Sequence, residues 1–234
     1  MSKIAKPFLG LWLSVVIIVA FVFPIVPVPE KWYEFPMIPG LENRARIIFF
    51  HVPMAWTAVM AFIVSVGYGI RYLAKKDLAD DLKTAASAGL GFLFCALATI
   101  TGSIWAKFNW GSFWNWDPRE TSIFALLLIY GAYFALRSAI DDSEKRATLS
   151  AVYSIIAGVT VPFFIFVMPR IMAGLHPGSE GSGDSGPLLG GTINVTMRIV
   201  FYSSLAGFVG LYLWMLSMRI RLEKFEFQRS VLKK

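Results

Sequence analysis

Residues 47–70 read IIFFHVPMAWTAVMAFIVSVGYGI, a stretch of twenty-four positions without a single Asp, Glu, Lys or Arg. About 20 helical residues cross a hydrocarbon core of ~30 Å, so this segment is long enough to span one and carries no charge that would resist burial there. A helix on the surface of a water-soluble protein keeps a polar face, and this one has none. The segment therefore predicts a membrane helix with one polar oddity, His51, about a turn from its start.

Five further apolar runs of similar length follow the same logic, at 8–28, 85–106, 121–140, 147–169 and 199–218. The expectation is an all-α polytopic membrane protein, a single domain over 1–234 with six transmembrane helices. Composition agrees: 56% of the 234 residues are hydrophobic, and the mean hydropathy is +0.62. The first run follows Lys3 and Lys6 but is too long for a signal-peptide core, and it is read as an uncleaved helix. Six spans put both termini on one side. That side carries 15 Lys and Arg against 8 Asp and Glu, net +7, whereas the opposite loops carry 7 of each. The positive-inside rule then predicts cytoplasmic termini, with the three opposite loops on the outer face. The pI of about 9.6 follows from this topology signal and needs no nucleic acid.

Several functions are excluded at this point. Cys95 is the only cysteine, so disulfides, Cys-x-x-Cys redox pairs and covalent haem attachment through Cys-x-x-Cys-His are ruled out. The segments RYLAKKDLADDLK (71–83) and RSAIDDSEKR (137–146) read as short solvated turns. They leave no room for a nucleotide domain, and no Gly-x-x-x-x-Gly-Lys loop occurs. Function belongs in the outer segments 29–46, 107–120 and 170–198, the last of which contains the Gly/Ser-rich tract 178–191.

The most unusual of these is WGSFWNWDPRE, residues 110–120. An interfacial aromatic belt accounts for Trp105 just before it, but less well for Trp110, Trp114 and Trp116, which crowd one place. Asp117, Pro118 and Glu120 read as N-cap, first position and third position of the fourth helix, a capping-box pattern. Indoles at this density also form an apolar platform for a flat ligand, whether a porphyrin, a quinone or an aromatic metabolite.

The two histidines, His51 and His176, fall at outer helix ends. Each alone reads as a hydrogen-bonded interfacial residue. Together, at one depth, two neutral imidazoles could flank a ligand on the tryptophan platform, and imidazole is a good ligand for iron. Haem propionates would call for cations, and Arg119, Lys107, Arg44, Arg46, Arg170 and Arg198 lie on the outer side, with Arg119 inside the motif.

WGSFWNWDPRE resembles the tryptophan-rich WWD motif of membrane proteins that handle haem in cytochrome c maturation. HVPMAW at 51–56 is similar to the His-Val-Pro-x-Ala-Trp stretch of the CcmC branch. The resemblance covers essentially the whole chain. It implies haem b held without covalent attachment by His51 and His176 as bis-His axial ligands, with Trp110, Trp114, Trp116, Asp117 and Arg119 forming the docking surface. It also implies presentation to a periplasmic CcmE-like haem chaperone, in a complex with CcmA and CcmB transporter subunits and a small CcmD-like protein. One departure stands out: WDPRETS carries Pro118 and Glu120 where CcmC motifs run Trp-Asp-x-Arg-Leu-Thr. That is closer to the CcsA branch, which delivers haem without a covalent chaperone. CcsA-type proteins need further intramembrane histidines, and this chain has none.

Two rival classes remain. A b-type electron carrier would need histidine pairs stacked across the membrane, and the chain offers one outer pair. A permease would need polar residues inside the spans, where Ser, Thr and Gly dominate instead. No nucleophile or acid–base pair marks an enzyme, so a haem carrier and transfer subunit is expected.

Overall fold

A computed structural model describes residues 5–176, 179 and 193–232. The tract 178–191, apart from Ser179, lies outside them. Six helical rods are long and apolar enough to cross a membrane. They are α1 (Ala5–Val22), α2 (His51–Lys75) with its leading 3-10 helix (Glu42–Phe49), α3 (Leu78–Trp110), α4 (Pro118–Ser138), α5 (Ser143–Pro162) continued by α6 (Met168–Ile171), and α7 (Val195–Leu232).

The boundaries differ from the hydropathy runs for local reasons. α1 stops at Val22 instead of reaching 28, because Pro24, Pro27 and Pro29 cannot sit inside a helix. The chain turns extended there, and β1 (Ile25–Val26) pairs in parallel with β2 (Phe35–Pro36). Beneath this short sheet Phe35, Ile38, Phe49, Met197 and Phe201 form a separate apolar plug. α3 is 33 residues long, about 50 Å at 1.5 Å per residue, well beyond a hydrocarbon core. Trp105 and Trp110 are therefore helical, and only 111–117 connects α3 to α4. Gly111 ends α3 in the left-handed conformation, φ 82°, with its N–H on the Lys107 carbonyl. Pro162 interrupts α5, which widens into a π-helical turn at Phe163–Val167 before α6.

The core is made by α2 at the centre, packed on α3, α5 and α7. Phe62 stacks on Tyr130 with ring centroids 3.6 Å apart. Gly91 of α3 makes the room, since a Cβ there would lie 2.6 Å from the Phe62 ring. Small hydroxyls tie the helices together: Ser65 pairs with Ser154 at 3.0 Å, and Ser87 with Tyr212 at 2.7 Å. In a bundle without a hydrophobic drive between helices, small residues and such bonds hold the contacts.

The 71–84 region is not the solvated turn its mixed charge predicts. Only Lys76 and Asp77 leave the helices, and Asp77 caps α3 through the Ala79 N–H at 2.9 Å. Asp80 and Asp81 turn inward and are buried. Arg137 grips Asp81 with two bonds of 2.6 and 3.0 Å, and Lys83 holds Asp80 at 2.8 Å. Burial of these carboxylates is tolerated because each faces a cation.

Candidate functional site

The site lies at the end of the bundle where α1, α3 and α6 finish and α2, α4 and α7 begin. Its floor is the last part of α3. Thr101, Gly102 and Trp105, spaced by three and four residues, share one face of that helix. His51, the first residue of α2, lies against them: a Cβ on Gly102 would come within 2.8 Å of His51 Cε1. His51 Nδ1 is 3.1 Å from Thr101 Oγ1.

His176 arrives from the loop after α6 and enters a cage of indoles. Trp105 stacks on it, centroids 6.0 Å apart and planes 26° from parallel. Trp110 meets it edge-on at 4.7 Å, and the two indoles contact each other at 5.1 Å. The Trp105 indole N–H donates to the Arg44 carbonyl at 3.1 Å, which fixes the ring.

Asp117 joins these parts. It caps α4 by accepting the Arg119 N–H at 2.9 Å, and Glu120 returns the bond to the Asp117 N–H at 3.3 Å, completing a capping box. Its Oδ1 accepts from His176 Nδ1 at 2.7 Å and its Oδ2 from the Leu175 N–H at 2.6 Å. Gly174 lets the loop approach this closely, since a Cβ there would lie 2.7 Å from Asp117 Oδ2. Burial pushes the carboxyl pKa up, but the His176 hydrogen bond and charge, with the Arg119 and Leu175 N–H groups, outweigh it and hold the pKa at about 2. An ionised carboxylate can only accept, so His176 carries a proton on Nδ1, and in the neutral ring Nε2 is then the bare nitrogen.

The His51 ring lies against Thr101 and Gly102, one turn of α3 from Trp105, on which His176 stacks. Of the residues picked out by sequence, His51, His176, Trp110, Asp117 and Arg119 thus gather at one place. Trp114 and Trp116 form a second group. They meet edge to face at 5.8 Å, Trp114 leans on Phe124 of α4 at 5.9 Å, and Trp116 is 70% exposed with φ 55°. A non-glycine residue in that left-handed region is unfavourable, and the turn it makes holds the indole outward.

Most of the expected cations are engaged elsewhere. Arg44 bonds the Gly40, Leu41 and Phe108 carbonyls and pairs with Glu42. Arg46 bonds the Ala20 carbonyl, Lys107 that of Gly111, and Arg170 that of Phe166. These side chains serve helix ends, where unpaired carbonyls attract donors. Arg198 lines a groove with Trp12 between α7 and α1. Trp105, which a belt accounts for in the sequence, also packs its ring on His176. Thr101, Gly102 and Gly174 escaped notice in the sequence. Helical spacing from Trp105 marks the first two as neighbours, but nothing local marks Gly174.

Among the described residues no group of three or more His, Cys, Asp or Glu side chains converges as a metal site. A bare ion needs more protein ligands than two imidazoles supply. Iron already held by a macrocycle needs only axial ligands, and flat indoles suit the rest of such a molecule.

The family model described as CcmC, Heme exporter protein C, matches residues 2–233. The chain is 32% identical over 178 residues to Heme exporter protein C of Paracoccus denitrificans, covering 76% of this chain and 72% of that one. It is 32% identical over 180 residues to the protein of the same name from Escherichia coli K12, covering 76% and 70%. Against the Rhodobacter capsulatus protein of that name, identity is 29% over 188 residues, covering 80% and 76%.

Proposed function

The chain belongs to the Heme exporter protein C family, and from that premise we propose that it holds haem b between His51 and His176 and presents it to a partner. The observation that carries the reading is the meeting of His176, Asp117, Trp105 and Trp110, one turn of α3 from the contacts of His51 with Thr101 and Gly102. In this reading the haem is cargo. The Nε2 atoms of the two imidazoles take its iron, Trp105 and Trp110 contact the ring system, and Arg119 faces a propionate. The exposed pair Trp114 and Trp116 lies where a docking partner can reach it.

The positive-inside count supports a reading in which this end of the bundle is the outer, periplasmic one of an inner-membrane protein. The partner there is a CcmE-like haem chaperone, and CcmA, CcmB and CcmD-like subunits complete the complex. The chain itself is a carrier subunit whose residues bind and orient, while the covalent chemistry belongs to the chaperone. A shallow site suits that task, because a cargo that must leave cannot be sealed in.

The test is the absorption spectrum of the purified protein. His51→Ala and His176→Ala should each lose most of the bound haem. Unchanged haem content in both variants would refute axial ligation.

A further inference from the structure

We propose that Thr101 is the positioning residue of His51, and that unequal acceptors behind the two imidazoles make His176 the firmer and His51 the more labile of the haem's two ligands. The assignment of ligand strength rests on the haem-holding reading above; the assignment of Thr101 does not.

Thr101 Oγ1 lies 2.9 Å from the Leu97 carbonyl and 3.1 Å from the Ala98 carbonyl. Carbonyls only accept, and a helical threonine habitually donates back to them. With its proton so engaged, Oγ1 turns lone pairs toward His51 Nδ1 at 3.1 Å. An acceptor there calls for a proton on Nδ1, which leaves Nε2 bare in the neutral ring, the same tautomer that Asp117 favours for His176. Gly102 keeps the ring in this orientation, since it packs against bare backbone.

The two supports are alike in geometry and unlike in charge. His176 donates to an anionic carboxylate at 2.7 Å, and His51 to a neutral hydroxyl at 3.1 Å. A carboxylate acceptor draws the Nδ1 proton and raises the basicity of Nε2, strengthening its bond to a metal. A hydroxyl orients the ring without that gain. When cargo is handed over, one axial bond must open first, its electron pair returning to the nitrogen. The structure assigns that opening to His51.

The chain has two histidines, so labelling histidine with 15N gives a spectrum with two imidazoles only. In the haem-free, full-length protein at pH 8, both rings should carry the proton on Nδ1. Thr101→Val should move the His51 proton off Nδ1 and leave His176 unchanged, and Thr101→Ser should restore the wild-type signals. A wild-type His51 protonated on Nε2, or a Thr101→Val spectrum identical to wild type, overturns the role of Thr101. This arm needs no haem, so failure of the haem reading shows separately, as haem content indifferent to both histidines.

The second arm adds carbon monoxide to the ferrous haem-loaded protein and asks which imidazole returns to its free-ring signals. Release of His51 over His176 by about tenfold or more supports the assignment. Release of His176, or equal release of both, overturns it.

Discussion

Replacing Asp117 with Ala removes the acceptor shared by the first turn of α4, the loop at 174–176 and His176. Losing the N-cap costs about 1 kcal/mol. The Leu175 N–H, which now donates to Oδ2 at 2.6 Å, is left without its acceptor at roughly 1–3 kcal/mol. The sum is about 2–4 kcal/mol. For a chain of this size each kcal/mol moves Tm by about 2–4 °C, so Asp117→Ala should melt about 5–15 °C lower. Asp117→Asn, which keeps an acceptor oxygen but no charge, should fall by about half as much. Cys95 is the sole cysteine and is buried, so a thiol-reactive fluorogenic dye reports unfolding directly in detergent. The folded carboxyl pKa is lowered, so its contribution is complete above about pH 4 and lost as pH falls toward 2. The carboxylate's part of the gap between wild type and Asp117→Asn should therefore hold from pH 8 to pH 5 and shrink below pH 4. An Asp117→Ala variant that melts with wild type would refute the account of this network.

Four further outcomes follow from the geometry. Trp110→Ala, which strips an indole from His176, should lower haem content in the absorption spectrum. Trp114→Ala with Trp116→Ala should leave haem content near wild type and reduce crosslinking to the chaperone. Gly91→Ala pushes a methyl into the Phe62 ring and should cost about 1–3 kcal/mol in thermal melts, with Phe62→Leu in the same chain recovering part of it. Asp81→Asn leaves the Arg137 guanidinium buried without its bidentate carboxylate and should cost about 3–5 kcal/mol, less when Arg137 is replaced as well, as a double-mutant cycle would show.

Much of the site was legible from residue type and spacing. Asp117, Pro118 and Glu120 announced a helix start, and the structure builds the capping box they predict. His51, His176 and Trp110 were singled out because imidazoles and clustered indoles are rare and chemically pointed. The partners of the cations were less legible. Arg44, Arg46, Lys107 and Arg170 sit at the right end of the bundle, but helix ends leave carbonyls unpaired, and these side chains answer them first. Sequence gives a charge its depth in the membrane without giving its nearest acceptor.

The number of spans and the all-α architecture were written in the sequence, because apolar length against a hydrocarbon core of ~30 Å is a one-dimensional property. Helix ends at Pro24, Gly111 and Asp117 are likewise local, set by dihedral preference and capping chemistry within a few residues. Which side chains meet across the bundle is not local. That Asp117 caps one helix and also holds His176, 59 residues away, that Trp105 stacks on the same imidazole, and that Gly102 and Gly174 keep backbone bare where a ring and a carboxylate arrive, were decided only when the helices packed. Contacts between distant segments depend on rotation and register of whole helices, which no single window of sequence contains.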